Sequence, residues 1–193
     1  MPSQICQLPK RPSARDDDAV VISSVRQCGI ESGPMDALKR LRAELRELRR
    51  SSAESDIALQ ADDDNIKRWR AWVRGPPETP YAGGVFELAI EVKDTYPVAP
   101  PIISCVTRIF HPNVHFKTGE ICLDILKQEW TPAWGLQSAC RAIIALLSDP
   151  QADSPLNCDA GNMIRAGDSA AFNSMAAMYT AELAMGSWPD LDE

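Results

Sequence analysis

The sequence lacks the paired motifs of metal and redox sites. Its 193 residues include six cysteines and two histidines, yet they form no Cys-x-x-Cys pair and no His-x-x-x-His pair. The spacing of typical zinc sites and dithiol centres is therefore missing. We expect six reduced thiols in an intracellular protein and no bound metal.

Long apolar runs and an excess of basic charge are also missing. The longest unbroken apolar run, Ala142 to Leu147, is far shorter than a membrane span, so any membrane association would come through a partner. The first thirty residues lack a basic segment followed by an apolar core, and we expect no signal peptide. A formal charge of -7 is unfavourable for displacing counterions from phosphates, so we expect no nucleic-acid partner.

Length and composition indicate one domain with two tails. A chain of 193 residues that is 45% apolar can bury one sizeable core. Residues 1–33 mix Pro, Ser, Arg and the acidic run Asp16 to Asp18, and we interpret them as a mobile tail. The functional alternative is that Ala19 to Val25 docks on a partner as an added strand. We place the domain at 34–185 and a short acidic tail at 186–193.

A helix is predicted from Met35 to about Arg50, because its leucines recur every three or four residues. Its other face is basic inside an acidic protein. The ordinary interpretation is a solvated face with internal ion pairs. The alternative is a docking surface for acidic partners. The leucines of the apolar face are Leu38, Leu41, Leu45 and Leu48.

Four strands joined by short turns follow the first helix. Apolar residues alternate through most of Phe86 to Val92, as on a sheet with one covered face. Consecutive strands with short connections predict an antiparallel meander. The predicted strands are Ile57 to Gln60, Ile66 to Arg74, Val85 to Val92 and Ile102 to Thr107.

Three helices complete the predicted domain. Leu136 to Ser148 is apolar around so much of its circumference that it belongs in the core. Asn157 to Ile164 predicts a short helix, and Asp168 caps a final helix that runs to about Met185. The residues predicted to face the core on this last helix are Ala171, Met175, Met178, Tyr179 and Leu183.

The stretch from Phe110 to Trp134 has the residues of acyl-transfer chemistry. A thiol can carry an acyl group as a thioester, and an asparagine amide can donate to the oxyanion that forms when an amine attacks it. Nearby carboxylates can orient that amine. The three motifs of this stretch are His111-Pro112-Asn113, the run from Gly119 to Leu126 around Cys122, and Trp130-Thr131-Pro132.

With these motifs the chain resembles the ubiquitin-conjugating enzymes from about Asp36 to Met185. The resemblance implies an α+β fold of the ubiquitin-conjugating type, with an N-terminal helix, a four-stranded antiparallel meander and three further helices. Within the family the chain is most similar to the peroxisomal members, apart from its long N-terminal tail. The residues behind this narrower likeness are Thr118-Gly119-Glu120, Glu129 to Trp134, Asp153 to Leu156, Gly161 to Arg165 and Gly167-Asp168.

The resemblance implies four catalytic side chains. Cys122 would be the nucleophile that carries ubiquitin, and Asn113 would donate to the oxyanion, although an asparagine here can also simply fix its own turn. Asp124 and Ser154 would orient the incoming amine, with Asp153 as a further candidate and an ordinary loop residue as the alternative for each. The family holds either Asp or Ser at the position of Ser154, and serine is the less acidic of the two, which is compatible with a cysteine acceptor.

Other residues of the motifs receive structural or binding roles. We expect the His111 ring to hydrogen-bond backbone beside Pro112, so that neither is catalytic. We interpret Cys105 and Cys140 as buried structural thiols, and Trp130 as an anchor. The residues that the resemblance implies for ligase binding are Arg40, Val98, Thr131, Pro132 and Ala133.

The resulting hypothesis is a ubiquitin carrier. Ubiquitin would pass from its activating enzyme to Cys122 and then, with a RING-type ligase, to a lysine or cysteine of a peroxisomal import receptor, without any cofactor. A membrane-anchored partner on the sheet face would hold the enzyme at the cytosolic side of the peroxisomal membrane. The alternatives are another ubiquitin-like modifier, a non-peroxisomal ubiquitin pathway, a non-catalytic scaffold that binds ubiquitin or a ligase, and a thiol protease with His111 as its base.

Overall fold

A computed structural model describes residues 34–48, 50 and 56–189 of the chain. The predicted N-terminal tail, 1–33, and the last four residues lie outside the described part. The elements are α1 (Pro34–Leu48), β1 (Ile57–Ala61), β2 (Arg68–Arg74), β3 (Val85–Glu91), β4 (Ile102–Cys105), a 3-10 turn (Asp124–Leu126), α2 (Leu136–Ser148), α3 (Cys158–Arg165) and α4 (Ser169–Leu183). The predicted α+β architecture and its element order are confirmed.

The sheet is an antiparallel meander in the order β1-β2-β3-β4. Along β2, Trp69, Ala71 and Val73 are buried while Arg68 and Arg70 are exposed. This alternation follows from the period of two along a strand, which sends successive side chains to opposite faces. One face of the sheet therefore joins the core and the other carries arginines.

The core lies between the inner face of the sheet and the helices. α2 packs against β1 and β2 in the core, but its buried side chains recur at every third or fourth residue, so they lie on one face of the helix rather than all round it. They are Leu136, Ala139, Cys140, Ile143, Leu146 and Leu147. Within the described residues, every helix is too short or too polar to cross a bilayer.

Two predicted strands are longer than the observed ones by two residues each. β2 begins at Arg68 rather than Ile66, because Asn65 accepts a hydrogen bond from the Arg68 amide and closes a turn there. β4 ends at Cys105, because the amides of Val106 and Thr107 both donate to the carbonyl of Glu87 and so leave the regular ladder. Strand ends depend on these local hydrogen bonds, which hydrophobic alternation does not report.

The predicted core face of α4 is right for Met175 and Tyr179, which pack partly buried against the core, but wrong for Met178 and Leu183. The predicted cap is right. Asp168 accepts a hydrogen bond from the amide of Ala171 at 3.0 Å and caps the helix. Phe172, Ala176 and Thr180 are the buried residues, however, whereas the predicted core residues Met178 and Leu183 are 47% and 38% exposed. Alanine and methionine occur all round this helix, so spacing alone does not define one apolar side.

Candidate active site

Asn113 and Cys122 lie side by side on two paired segments. The amide of Cys122 donates to the carbonyl of Asn113 at 2.8 Å, and the next pair inward, Val114 and Ile121, forms an antiparallel bridge. The His115 carbonyl accepts from Gly119 at 2.9 Å, which closes the connecting turn. The backbone thus brings together the two residues for which the sequence predicts acyl-transfer chemistry.

Gly119 fixes this paired segment against the sheet. Its φ of +72° is strained for other residues. A Cβ atom at this position would lie 1.9 Å from the carbonyl oxygen of Cys105, at the end of β4, and the Cys105 amide donates to the Gly119 carbonyl at 2.8 Å. Only glycine allows this approach, so the turn before Cys122 depends on it.

Cys122 differs from the buried thiols of the chain. Cys122 and Cys105 are both half-buried as residues, and Cys140 is buried. Burial of the thiol nevertheless raises the pKa of Cys105 and of Cys140 to about 12 and keeps both protonated. Those two thiols are therefore structural, as expected. The thiolate is the nucleophilic form, so of these three cysteines only Cys122 is placed to react.

Lys127 lies next to the Cys122 sulfur. The sequence alone did not predict this contact. Its Nζ atom is 3.7 Å from Cys122 Sγ. The 3-10 turn from Asp124 to Leu126 separates the two residues, and the Lys127 amide donates back to the Asp124 carbonyl at 2.9 Å. The only sequence signal was a lysine five positions after the cysteine, which predicts contact only if the chain turns there.

His111 has no capacity left to act as a base. The buried ring donates from Nε2 to the carbonyl of Leu146 at 3.1 Å, and its Nδ1 accepts the Asn113 amide at 3.1 Å. Burial lowers the pKa of His111 to about 4. The imidazole is thus neutral at physiological pH with both nitrogens bonded to backbone, which is the expected arrangement and removes the base of the thiol-protease alternative.

Pro112 and Asn113 also form hydrogen bonds to backbone groups of the segment after α2. The Pro112 carbonyl accepts from the amides of Leu156 and Asn157, at 2.8 and 3.0 Å. Asn113 donates from Nδ2 to the carbonyl of Gln151 and accepts the Gln151 amide on Oδ1, both at 2.8 Å. The His-Pro-Asn turn therefore holds the end of α2, the following loop and the start of α3 in place.

The side chain of Asn113 does not fix its own turn, so that alternative is wrong. The side chain bonds to the backbone of Gln151 instead. Asn113 itself is only 4% exposed. An asparagine amide nitrogen carries two hydrogens. The bond to Gln151 uses one of them, and no described residue accepts the second.

Asp124 and Ser154 are exposed, in contrast to the buried residues His111 and Asn113. Asp124 lies at the start of the 3-10 turn, and Ser154 lies in the loop between α2 and α3. Asp153 is exposed beside Ser154. Across the described ranges, the side chains of these three residues make no hydrogen bond to protein, so they remain available to an incoming group.

Four of the five predicted ligase-binding residues are exposed on two adjoining loops. Val98 is 54% exposed, and Thr131, Pro132 and Ala133 are also exposed. Trp130 is buried and donates from its indole to the carbonyl of Pro97 at 2.8 Å. This expected anchor joins the two loops into one surface.

Arg40, the fifth, is half-buried and bonded within the protein. Its Nε donates to Glu44 at 2.7 Å and its Nη2 donates to the carbonyl of Trp134 at 3.1 Å. Glu44, which sequence reasoning saw only as part of an ion-paired helix face, also accepts the Tyr96 hydroxyl at 2.6 Å and the amide of Leu136, at the start of α2, at 2.9 Å. Arg40 therefore positions the loop from α1.

The outer face of the sheet carries arginine and tryptophan contacts. Arg70 lies 4.9 Å from the centre of the Trp72 ring and pairs with Glu87 at 2.8 Å. Arg74 lies 4.1 Å from the centre of the Trp188 ring, within cation-π range. The segment after α4 thus reaches this face of the sheet.

Comparisons with known proteins point to one enzyme family. The family model described as "Ubiquitin-conjugating enzyme" matches residues 40–180. "Protein PEROXIN-4" of Arabidopsis thaliana is 60% identical over 147 residues, which cover 76% of this chain and 94% of that protein. "Ubiquitin-conjugating enzyme E2 pex4" of Dictyostelium discoideum is 55% identical over 141 residues, covering 73% and 95%.

A solved structure extends the likeness to three dimensions. The crystal structure of H. polymorpha ubiquitin conjugating enzyme Pex4p in complex with the soluble domain of Pex22p superposes with a TM-score of 0.72 at 36% sequence identity. The match covers 80% of this chain and 100% of that chain.

Proposed function

The chain belongs to the ubiquitin-conjugating enzyme family, and from that membership we propose that Cys122 accepts ubiquitin as a thioester from the activating enzyme. With a RING-type ligase, the enzyme then passes ubiquitin to a peroxisomal import receptor. The observation that carries the proposal is the backbone pairing of Cys122 with Asn113, since it sets a partly exposed thiol beside an amide donor.

The two transfers follow from this arrangement. In loading, the Cys122 thiolate attacks the carbonyl of the thioester on the activating enzyme, and that enzyme's thiolate leaves. In discharge, an acceptor amine or thiol attacks the new thioester, and Cys122 leaves as a thiolate. Charge develops on the carbonyl oxygen in each tetrahedral intermediate, where the second N–H of Asn113 stabilises it.

The acceptor enters past Asp124 and Ser154. Both side chains are exposed and free of hydrogen bonds to protein in the described part of the chain, so they can orient an approaching nucleophile. An acceptor lysine must lose a proton before it attacks, which a carboxylate beside the site favours. A serine at position 154 supplies no charge for this step, which suits an acceptor cysteine as well as a lysine.

The ligase binds the surface formed by Val98 and the loop from Thr131 to Ala133. Both loops are exposed and are joined by the Trp130 indole. Arg40 supports this surface through Trp134 and Glu44, so it holds the loop in position for the ligase as well as offering part of the contact.

A membrane-anchored partner binds the outer face of the sheet and holds the enzyme on the cytosolic face of the peroxisomal membrane. Two relatives carry peroxin names, and the solved relative forms a complex with Pex22p. The arginines of β2 and the Trp72 ring offer this partner charged and aromatic contacts. We infer that the catalytic domain is 34–185.

Trapping the intermediate tests the proposal. Wild-type enzyme with ubiquitin, activating enzyme and ATP should form an adduct that thiol reductants cleave, and Cys122→Ser should form an oxyester that resists them. Cys158→Ser, which removes another exposed thiol, is the matched control and should behave as wild type. Absence of any reducible wild-type adduct with ubiquitin would reject the proposal, and parallel reactions with other modifiers identify which one is carried.

A further inference from the structure

A polar cavity lies beside the turn that leads to Cys122. Its volume is about 360 Å³, and its two walls are residues 104–109, at the end of β4, and residues 114–119, in the turn. The amide of Cys105 donates to the carbonyl of Gly119 at 2.8 Å and joins the walls. The cavity is therefore part of the packed domain and is not a gap between separate loops.

The charged residues of the lining are both basic and unpaired. Arg108 belongs to one wall and Lys117 to the other, and no acidic residue lines the cavity. Neither side chain takes part in an ion pair or a hydrogen bond between described residues. Two unpaired cations facing one space attract an anion, although the whole chain has a formal charge of -7.

The wall formed by the turn has further donors without acceptors. His115 Nδ1 accepts the Thr118 amide at 3.1 Å, so the neutral ring carries its proton on Nε2. In the described part of the chain, no group accepts that proton, and the successive amides of Phe116 and Lys117 also have no acceptor. Consecutive free backbone N–H groups are typical of anion-binding turns.

We propose that this cavity binds the phosphate group of a phosphorylated side chain on the protein that accepts ubiquitin. This inference rests on the proposed function, and it concerns binding alone, since no covalent bond changes in the cavity. A phosphate monoester carries about 1.5 to 2 negative charges at pH 7 and has three free oxygens. It therefore suits cations on two opposite walls better than a carboxylate does, which has one charge and two oxygens.

One peptide can reach both the cavity and Cys122. Lys117 precedes Cys122 by five residues, and an extended chain spans about 3.4 Å per residue, so their Cα atoms are at most about 17 Å apart. An extended acceptor peptide covers the same distance in about five residues. A phosphorylated residue within that range of the acceptor lysine or cysteine can therefore occupy the cavity while the acceptor attacks the thioester.

The first experiment measures binding without chemistry. Inorganic phosphate, titrated into isotope-labelled full-length protein, should shift the NMR amide signals of residues 104–109 and 114–119 to saturation. The double variant Arg108→Gln, Lys117→Gln should lower this affinity about tenfold or more, because each change removes a charge-assisted hydrogen bond. Shifts that do not saturate, or that lie elsewhere on the surface, would overturn the site.

A matched double variant controls for net charge. Lys93→Gln with Arg141→Gln removes the same charge from exposed residues outside the lining, and it should bind phosphate as wild type does. Equal losses in the two double variants would show attraction to overall charge alone and would overturn the proposal.

The second experiment identifies the ligand through discharge of preformed Cys122 thioester. The acceptor peptides share one lysine and carry phosphoserine, serine or glutamate at spacings up to about five residues from it. The phosphoserine peptide should reach half-maximal discharge at a concentration about tenfold below that of the serine peptide. The variant Arg108→Gln, Lys117→Gln should remove this difference, and the variant Lys93→Gln, Arg141→Gln should keep it.

The outcomes separate this inference from the proposed function. A thioester that discharges equally to all three peptides, or to the glutamate peptide as readily as to the phosphoserine peptide, would overturn the phosphate site and leave the carrier function intact. Binding of phosphoinositide vesicles at these residues, without any gain for the phosphoserine peptide, would also overturn it in favour of a membrane ligand. Failure to form any thioester would reject the proposed function and the acceptor's role with it.

Discussion

Asn113 combines an anchoring role that the structure shows with a proposed catalytic role that can be measured separately. Its amide makes two hydrogen bonds of 2.8 Å to the backbone of Gln151. Asn113→Ala removes both, but Gln151 is exposed and its backbone can bond to water instead. We expect a loss of about 1 to 2 kcal/mol in the free energy of unfolding, which corresponds to a fall of about 2 to 8 °C in Tm.

The catalytic effect of the same substitution should be larger. Removal of one oxyanion donor costs about 100-fold in rate in acyl-transfer enzymes, or about 2.7 kcal/mol in activation free energy. The assay is single-turnover discharge of preformed Cys122 thioester to excess free lysine, at a temperature where the variant remains folded. Because every molecule starts loaded, the stability loss does not lower this rate.

Asn113→Asp distinguishes the two roles. An ionised aspartate can still accept the Gln151 amide, but it cannot donate a hydrogen bond and it adds negative charge beside the developing oxyanion. We therefore expect Asn113→Asp to discharge no faster than Asn113→Ala. Discharge by Asn113→Asp near the wild-type rate, or by Asn113→Ala within a few-fold of it, would refute the oxyanion role and leave only the anchor.

Two further predictions concern stability. Glu44→Ala leaves the Tyr96 hydroxyl and the Leu136 amide without their acceptor. It should lower the free energy of unfolding, measured by denaturant titration, by about 2 to 4 kcal/mol. A loss below about 1 kcal/mol would mean that water replaces the carboxylate. His111 has a folded-state pKa near 4, below its ordinary value of about 6.5, so the unfolded chain binds its proton first. The contribution of His111 to the free energy of unfolding is complete above pH 6.5 and should fall by up to about 3 kcal/mol towards pH 4. An NMR titration that shows a charged His111 ring at pH 6 would contradict this.

The elements with a strong local pattern could be predicted from the sequence. α2 was placed at its observed ends because its apolar run, bounded by Gly135 and Asp149-Pro150, allows only a core helix. The β3 alternation gave the inward residues Phe86, Leu88 and Ile90 correctly. α4 shows the limit, because alanine and methionine on all its sides leave its rotation to be set by packing.

The residue types of the candidate site could be predicted from the sequence, but the contacts between them could not. The motif around Cys122 predicts a nucleophile there, and the structure pairs this residue with Asn113. The bonds that hold them join residues far apart in the chain, such as Asn113 to Gln151 and Glu44 to Leu136, and local pattern does not report such pairs. Lys127 was missed for a related reason, since its contact with the sulfur exists only once the 3-10 turn has formed.

Because Trp188 packs on Arg74, its intrinsic fluorescence can report on the outer face of the sheet. The indole sits where a protein bound across β2 would have to cover it or push it aside, and either event changes the polarity around the ring. Emission from this one tryptophan, isolated by subtracting the signal of a Trp188→Phe variant, would therefore report occupancy of the outer face in a cuvette without any attached dye.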